Sequence, residues 1–293
     1  GALSAEASVD VANRSISGAR FDIERAGVSA SGEVARLGFG PGGVEAQGVR
    51  IDGAGLGSLS GSLAVRRGEL TGRLEGRAVD LAKLGRLGAI ATPVAGLANL
   101  RLDLSRGAEG RLGELELELE DGRFGELDGI SARLSAKLDK DAVIAQGYVR
   151  LVDEASVDQV IESRASLVEQ AQLCDGVIAE VRLDRASGTL AGPLASPATW
   201  RALLGRAQVV ADNWHLRCVH RRFPIVSELG GVASLRAEIE RESTEVLASV
   251  NELYLRTRGL TVARDRIFSN RIDAQVTGGF DGKTGTLQAQ TLL

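Results

Sequence analysis

The residues best suited to bind a metal lie in the stretch HLRCVH, which runs from His215 to His220 and holds both histidines of the chain. Histidine and cysteine are common ligands of zinc. On an extended strand Cys218 and His220 share a face, whereas His215 points to the opposite face. Arginines beside the histidines would also repel a cation. We therefore predict no metal site and no cofactor.

A glycine-rich stretch, GFGPGG from Gly38 to Gly43, has the spacing of a dinucleotide-binding loop. Such a loop binds phosphate because a helix begins directly after it and offers unpaired backbone N–H groups. Here the residues that follow alternate as they do in a strand. The stretch therefore predicts a hairpin turn.

Catalytic chemistry has little support in the sequence. Two histidines leave little scope for a histidine-dependent triad, and the carboxylates are spread along the chain instead of clustering. We predict no catalytic residue and no enzymatic activity, with a hydrolase as the enzyme alternative.

Cys174 and Cys218 are the only cysteines, and they could form a disulfide in an oxidising compartment. The sequence leaves open whether they are bonded.

Composition narrows the class of protein further. The chain has 293 residues, of which 44% are hydrophobic and 25% charged, and a net charge of -4. This excludes a disordered chain, and the acidic balance argues against a nucleic-acid partner. Only 3% of the residues are aromatic, so apolar surface must come from Leu, Val, Ile and Ala. The chain begins at Gly1 without an initiator methionine, and we interpret it as part of a longer protein.

The elements that must position these residues are strands. From Gly57 to Arg77 small or aliphatic residues alternate with polar ones, break at Arg67 and Gly68, and alternate again. Because strand side chains alternate with period two, the pattern predicts an antiparallel hairpin with one apolar face. The pattern recurs along the chain and predicts roughly eighteen strands. They include the regular ELELELE from Glu114 to Glu120 and, further on, Thr189 to Leu194, Ala207 to Ala211 and Trp214 to His220.

Two segments depart from the alternation. Asp80 to Ile90 places leucines at helical spacing, which predicts either a short helix or a loop with helical turns. Glu154 to Leu173 has an apolar stripe with charges elsewhere, which predicts a helix. The chain then divides into a first β segment at residues 1–153, a helical connector at 154–174 and a second β segment at 175–293.

A sheet of this many strands must cover or use its apolar face. Open sheets rarely exceed about ten strands without curling, splitting or closing, and the lack of aromatic anchors disfavours a sandwich. We predict a mainly β fold: an elongated, curved antiparallel sheet that forms a groove, with one or two short helices. The predicted lining is aliphatic and consists of Leu59, Leu63, Val65, Leu70, Leu74, Leu115, Leu117, Leu119, Leu134, Leu138, Val149, Leu151, Val181, Leu183, Leu235 and Ile239.

The region from Ala186 to Ile239 contains three recognisable stretches: a strand and turn, a short strand with a tryptophan, and a strand pair. The residues that define them are Ser187, Gly188, Thr189, Leu190, Pro193, Pro197, Ala207, Val209, Trp214, Pro224, Leu229, Gly231, Leu235 and Ile239. In this pattern the region resembles the repeated unit of the TamB family, the translocation-and-assembly-module proteins related to AsmA-like proteins of Gram-negative envelopes.

The resemblance implies a function for the groove. Such proteins are similar to bridge-like lipid carriers, in which a taco-shaped sheet carries phospholipid acyl chains between the inner and outer membranes. This implies a location in the periplasm or cell envelope and an inner-membrane anchor in another part of the protein. It also allows an outer-membrane barrel protein as a partner. The alternative is a structural or adhesin-like β-scaffold whose interior is filled by its own side chains.

Overall fold

The structure is a computed structural model. It describes residues 1–88, 94–107, 109–125, 127–153, 176–216, 218–219, 228–243, 248–263 and 272–292.

Antiparallel strands dominate these residues. In chain order they are β1 (Ala2–Asp10), β2 (Ser15–Arg25), β3 (Val28–Gly40), β4 (Gly43–Gly53), β5 (Gly57–Arg66), β6 (Glu69–Asp80), β7 (Val94–Gly107), β8 (Gly110–Phe124), β9 (Leu127–Asp139), β10 (Ala142–Asp153), β11 (Gly176–Thr189), β12 (Leu204–His215), β13 (Glu228–Arg241), β14 (Ser249–Ala263), β15 (Ile272–Asp281) and β16 (Thr286–Leu292).

Two short helices accompany the strands in the described part of the chain. The first, α1 (Leu81–Gly88), follows β6, and the second, α2 (Pro197–Arg201), lies between β11 and β12. Within the segment predicted from Asp80 to Ile90, the structure thus has a helix at Leu81–Gly88. Neither helix is long and apolar enough to cross a membrane, and no other described helix is.

The sixteen described strands form one sheet in which each strand pairs with its neighbours in the sequence. This confirms the predicted mainly β fold, an open antiparallel sheet with short helices. The order needs only local connections, since antiparallel neighbours can be joined by tight turns. The turn between β5 and β6 shows how: Arg67 and Gly68 both have positive φ, at 52° and 81°, as the commonest two-residue hairpin turn requires.

Where an extra residue interrupts the period-two alternation, a bulge keeps the apolar side chains on one face. Ala46 and Val49 are an odd number of residues apart, yet they pair with Leu63 and Gly61, which are two residues apart. The extra residue in β4 is absorbed around Gly48, whose φ is 58°. A bulge of this kind inserts one residue and re-aims the side chains that follow it.

The chain divides into two compact units. Unit 1 comprises Gly1–Asp128, Ala132–Gln146 and Ser187–Gly205, and unit 2 comprises Gly129–Ser131, Gly147–Ala186 and Arg206–Leu293.

In unit 1, α1 contacts β2, β3, β6 and β7. Its first turn is fixed by Lys83, whose backbone N–H donates to Asp80 and whose Nζ donates to the carbonyl of Gly55 at 2.7 Å. Beside it, Leu56 in the turn after β4 is buried. The helix therefore covers one end of the sheet over its first strands.

Three sequence predictions in the later part of the chain need comment. The strand predicted from Thr189 to Leu194 was wrong, because β11 ends at Thr189 and the chain then leaves the sheet. The strand predicted over Trp214 to His220 was wrong beyond His215, since β12 ends there and helical backbone follows at residues 216, 218 and 219. The helix predicted from Glu154 to Leu173 lies outside the described residues.

Candidate functional site

The apolar face of unit 1 can be followed from strand to strand through the register. Directly opposite residues in an antiparallel pair lie on the same face of a sheet. One row of such residues crosses eight strands and contains only apolar residues and glycine. This apolar row consists of Ala5, Phe21, Gly32, Ile51, Leu59, Gly76, Leu100 and Leu117.

The next residue along each strand belongs to a row of opposite character on the other face. This charged row alternates acidic and basic residues with one serine between them, and it consists of Glu6, Arg20, Glu33, Arg50, Ser60, Glu75, Arg101 and Glu116. Opposite charges on facing residues stabilise a sheet, whereas like charges destabilise it. Because both rows keep their character over β1 to β8, the two faces are chemically distinct across all eight strands.

The register places the predicted lining residues of β5, β6 and β8 on the apolar face. Between β5 and β6 the pairs on that face are Leu59 with Gly76, Gly61 with Leu74, Leu63 with Gly72 and Val65 with Leu70. Leu74 then faces Leu102 on β7. Leu115, Leu117 and Leu119 on β8 face Leu102, Leu100 and Ala98 in turn.

On β9, Leu138 joins the same face. It packs in a cluster with Leu70 and Leu104, and Leu134, four residues earlier on the strand, lies on the same side as Leu138. The structure therefore brings ten of the predicted lining residues together on one face of unit 1.

The other six predicted residues lie in unit 2. Val149 and Leu151 alternate with Arg150 on β10, and Leu151 packs against Ile178 and Cys218. Val181 and Leu183 alternate with charged residues on β11. On β13, Leu235 faces Leu255 and Ile239 faces Val250, and these partners face Val276 and Phe280 on β15.

Much of the apolar face of unit 1 is not covered by the chain itself. Leu117 lies in the middle of β8 between aliphatic neighbours, yet 37% of it is exposed. Among the described residues the largest fully buried side chains are Ile178 and Leu190, neither of which belongs to the apolar row. At Leu117 the apolar face therefore leaves surface open to another apolar occupant.

Ion pairs and hydrogen bonds brace the polar face. In unit 1, Arg73 Nε donates to Asp103 at 2.9 Å across β6 and β7, and this pair raises the pKa of Arg73. Arg66 donates to Glu45 at 2.6 Å across β4 and β5. Hydrogen bonds from Gln47 and then from Arg66 lower the pKa of Glu45.

The same arrangement recurs in unit 2. Asn251 and Arg206 both donate to Glu240, and these two hydrogen bonds, with the one from Asn251 larger, lower the pKa of its carboxyl. On β11 the guanidinium of Arg182 lies 3.0 Å from the carboxylate of Asp212 on β12. In each unit these described charges are thus paired across neighbouring strands of the polar face.

The structure describes only two of the three candidate metal ligands, His215 and Cys218. In the described part of the chain no three histidine, cysteine or acidic side chains come close enough to hold an ion. Cys218 is bonded in a disulfide and so offers no thiolate. Cys174, the only other cysteine of the chain, lies outside the described residues, as does His220.

One segment on the apolar face was not predicted from the sequence. Residues 190–203, which we call the strap, connect β11 to β12 and include α2. Instead of continuing the sheet, the strap places Leu190 and Leu194 in the cluster of Leu138. Its two prolines, Pro193 and Pro197, signalled that a strand must end there, but no local signal showed where the segment packs.

The fold and faces define a class of protein: an open antiparallel sheet with one aliphatic face and one charged face. Comparisons of the chain with protein-family models, curated proteins and solved structures find no match.

Proposed function

We propose that this chain is a non-enzymatic groove that conducts phospholipid acyl chains across the periplasm between the inner and outer membranes. The observation that carries the proposal is the apolar row, which runs unbroken over eight strands of unit 1 and remains partly exposed at Leu117. A protein that used this face only as a core would cover it, because exposed apolar surface of this extent is unfavourable.

The energetics favour an acyl chain as the occupant. Each methylene group that moves from water onto an apolar surface gains about 0.8 kcal/mol. A chain that slides from one strand to the next along the apolar row meets similar aliphatic surface at every step. Its free energy therefore changes little during movement, while the head group remains in water at the open side of the groove.

Three further features support this proposal. The resemblance of residues 186–239 to the TamB repeat implies a periplasmic lipid carrier, which an inner-membrane anchor elsewhere in the protein and an outer-membrane partner would complete. The disulfide at Cys218 fits such a location, since disulfides persist in oxidising compartments such as the periplasm. The paired charges of the polar face fit a supporting role and not catalysis.

A structural scaffold is the second candidate, and one observation favours it. Around Leu138 the apolar face is filled by the chain's own Leu190 and Leu194. If the whole face were filled in this way by other segments, the sheet would need no lipid.

Photo-crosslinking at two adjacent positions tests the proposal. Leu117 and Glu116 are neighbours on β8, but they belong to the apolar row and the charged row respectively. A photoreactive phenylalanine at 117, in the protein incubated with vesicles of phosphatidylethanolamine and phosphatidylglycerol, should capture phospholipid, whereas the same group at 116 should not. Equal capture at both positions, or capture at neither position in folded protein, would contradict the lipid groove. The structural scaffold would then be the remaining candidate.

A charged substitution in the apolar row provides a second test of lipid binding. Leu117→Asp should reduce phospholipid retained after purification, because a buried carboxylate or the water it attracts costs several kcal/mol in an apolar path. The sheet should still fold, since an open groove leaves the new carboxylate partly hydrated. Glu116→Gln is the matched control and should retain lipid as the unmodified protein does.

A further inference from the structure

The strap occupies the apolar face at one end of unit 1. Leu190 has no exposed surface and Leu194 is 5% exposed. Both pack with Leu138 on β9, and half-buried residues on three other strands close the cluster: Leu70 on β6, Leu104 on β7 and Val143 on β10. The strap thus reaches over strands from β6 to β10 on the face to which the apolar row belongs.

Backbone hydrogen bonds hold the strap at two points. The N–H of Leu190 donates to the carbonyl of Asp141, in the turn between β9 and β10, at 2.8 Å. The N–H of Ala195 donates to the carbonyl of Gly68, in the turn between β5 and β6, at 3.1 Å. Pro193 lies so close to Gly68 that a Cβ built there would be 2.9 Å from the ring. The strap therefore spans between two hairpin turns at the same end of the sheet.

An ion-pair cluster joins the same two turns. Arg111 on β8 lies 3.3 Å from the carboxylate of Glu69, next to Gly68, and 3.4 Å from that of Asp141. Its Nη1 is buried without a hydrogen bond of good geometry. The rim against which the strap rests is thereby fixed independently of the strap, so that the rim can persist when the strap leaves it.

The strap is itself internally braced. Thr199 Oγ1 donates to the carbonyl of Pro193 at 2.8 Å, and Trp200 Nε1 donates to that of Leu194 at 2.9 Å. These bonds tie α2 to the extended part of the strap. Among the described residues, two backbone hydrogen bonds join the strap to the turns that it spans. A segment with many internal bonds and few external ones can open locally as a unit.

We propose that the strap is a gate on the lipid path, which closes the groove over β6 to β10 by placing Leu190 and Leu194 where acyl chains would lie. A lipid that moves along this part of the face must displace the strap. The inference rests on the proposed function, because it assigns regulation to the same groove. It also accounts for the chain's own leucines filling the groove around Leu138.

The test combines binding of a fatty acid with hydrogen exchange in the same samples. cis-Parinaric acid is a single acyl chain whose fluorescence rises in an apolar site. In the unmodified protein, its binding should speed amide exchange at Leu190 and Ala195 by about tenfold or more. The amide of Leu56, which donates to Gly53 in a turn away from the strap, should not change and serves as the internal control.

Variants test the gate from the other direction. Leu190→Ala with Leu194→Ala should weaken the strap's hold and allow at least one additional fatty acid to bind per protein. Leu203→Ala, which changes an apolar strap residue outside the cluster, should bind as the unmodified protein does. If the double variant fails to fold, the exchange measurement on the unmodified protein still tests whether the strap opens when fatty acid binds.

The outcomes separate the gate from the groove. Faster exchange at Leu190 and Ala195 on binding, together with more fatty acid bound by the double variant than by the unmodified protein, supports the gate. Fatty acid that binds while Leu190 and Ala195 stay protected overturns the gate, and leaves the groove standing with the strap as a fixed wall. If neither protein binds the fatty acid, the groove itself is overturned and the gate with it.

Discussion

At the scale of residues, glycine has a defined place on the apolar face. Leu63, Gly72, Leu104 and Gly113 face one another in turn across β5 to β8, so that large and absent side chains alternate. A Cβ on Gly113 would lie 2.6 Å from Leu104 Cδ2, which shows that the leucine covers its glycine neighbour. In this row the two leucines therefore supply the aliphatic surface, and the two glycines leave room for them.

Gly72 gives the sharpest residue-scale prediction. Its φ is +128°, and a Cβ there would lie 2.0 Å from the carbonyl of Ser62. Gly72→Ala should therefore destabilise the protein by about 1–3 kcal/mol or more through backbone strain, measured by urea unfolding.

Gly40→Ala is the control for this substitution. Gly40 has open space around its Cβ position and no positive φ, so its replacement should change stability by less than about 0.5 kcal/mol. Equal effects of the two substitutions would contradict the backbone geometry assigned to β6.

At the scale of elements, α1 and the turn after β4 depend on each other. Leu56 is 3% exposed beside the helix, whereas Leu84 within the helix is 41% exposed. Leu56→Ala should cost about 2–5 kcal/mol, because it removes buried methyl groups and leaves a cavity.

Leu84→Ala, at an exposed site of the same region, should cost less than about 1 kcal/mol. Thermal unfolding of both variants checks the difference. A Leu56→Ala variant as stable as the unmodified protein would mean that α1 does not pack on this turn.

The strands were predictable because their signal is local. Alternation from Leu59 to Arg66, and again from Glu69, specifies both the strands and the face of each side chain. The strap was not predictable for the opposite reason. Thr189 to Leu194 alternates weakly like a strand, but its partners at Gly68 and Asp141 are distant in sequence, and no local pattern encodes them.

At the scale of the whole molecule, acidic pH should destabilise the fold. Asp10, Glu45, Glu240 and Asp281 have pKa values lowered by hydrogen bonds from Asn13, Gln47, Asn251 and the backbone of Lys283, in that order. A carboxyl with a lower pKa in the folded chain stabilises the fold above its unfolded pKa, and this contribution is lost as pH falls through the folded value.

The melting temperature should therefore decline as the pH falls below the ordinary carboxyl values of 4.5 for glutamate and 3.8 for aspartate. Glu240→Gln should show a shallower decline, because one of the contributing carboxyls is gone. Melting curves from pH 7 to pH 3 measure both. Identical declines in the two proteins would show that Glu240 is not held by Asn251 and Arg206 in solution.

The candidate site was predictable as a set of residues but not as continuous rows. Alternation placed Leu59, Leu74 and Leu117 on the apolar side of their own strands. Which residue faces which depends on the turns and bulges, such as the extra residue at Gly48 that keeps Ala46 and Val49 on one side. Because each bulge shifts every later pair by one residue, small local choices decide whether apolar side chains align over eight strands.

The partial exposure of the apolar row has a consequence for how such a chain can change during evolution. In a close-packed core a change of one methylene group is felt by its neighbours, so core residues are restrained in size. Leu117 has open space on one side, and replacement by valine, isoleucine or methionine would preserve its aliphatic surface at little cost. What this face requires is the alternation and the absence of charge, and less the size of each side chain. Two descendants of one ancestor could keep the same groove while few of their residues remain identical.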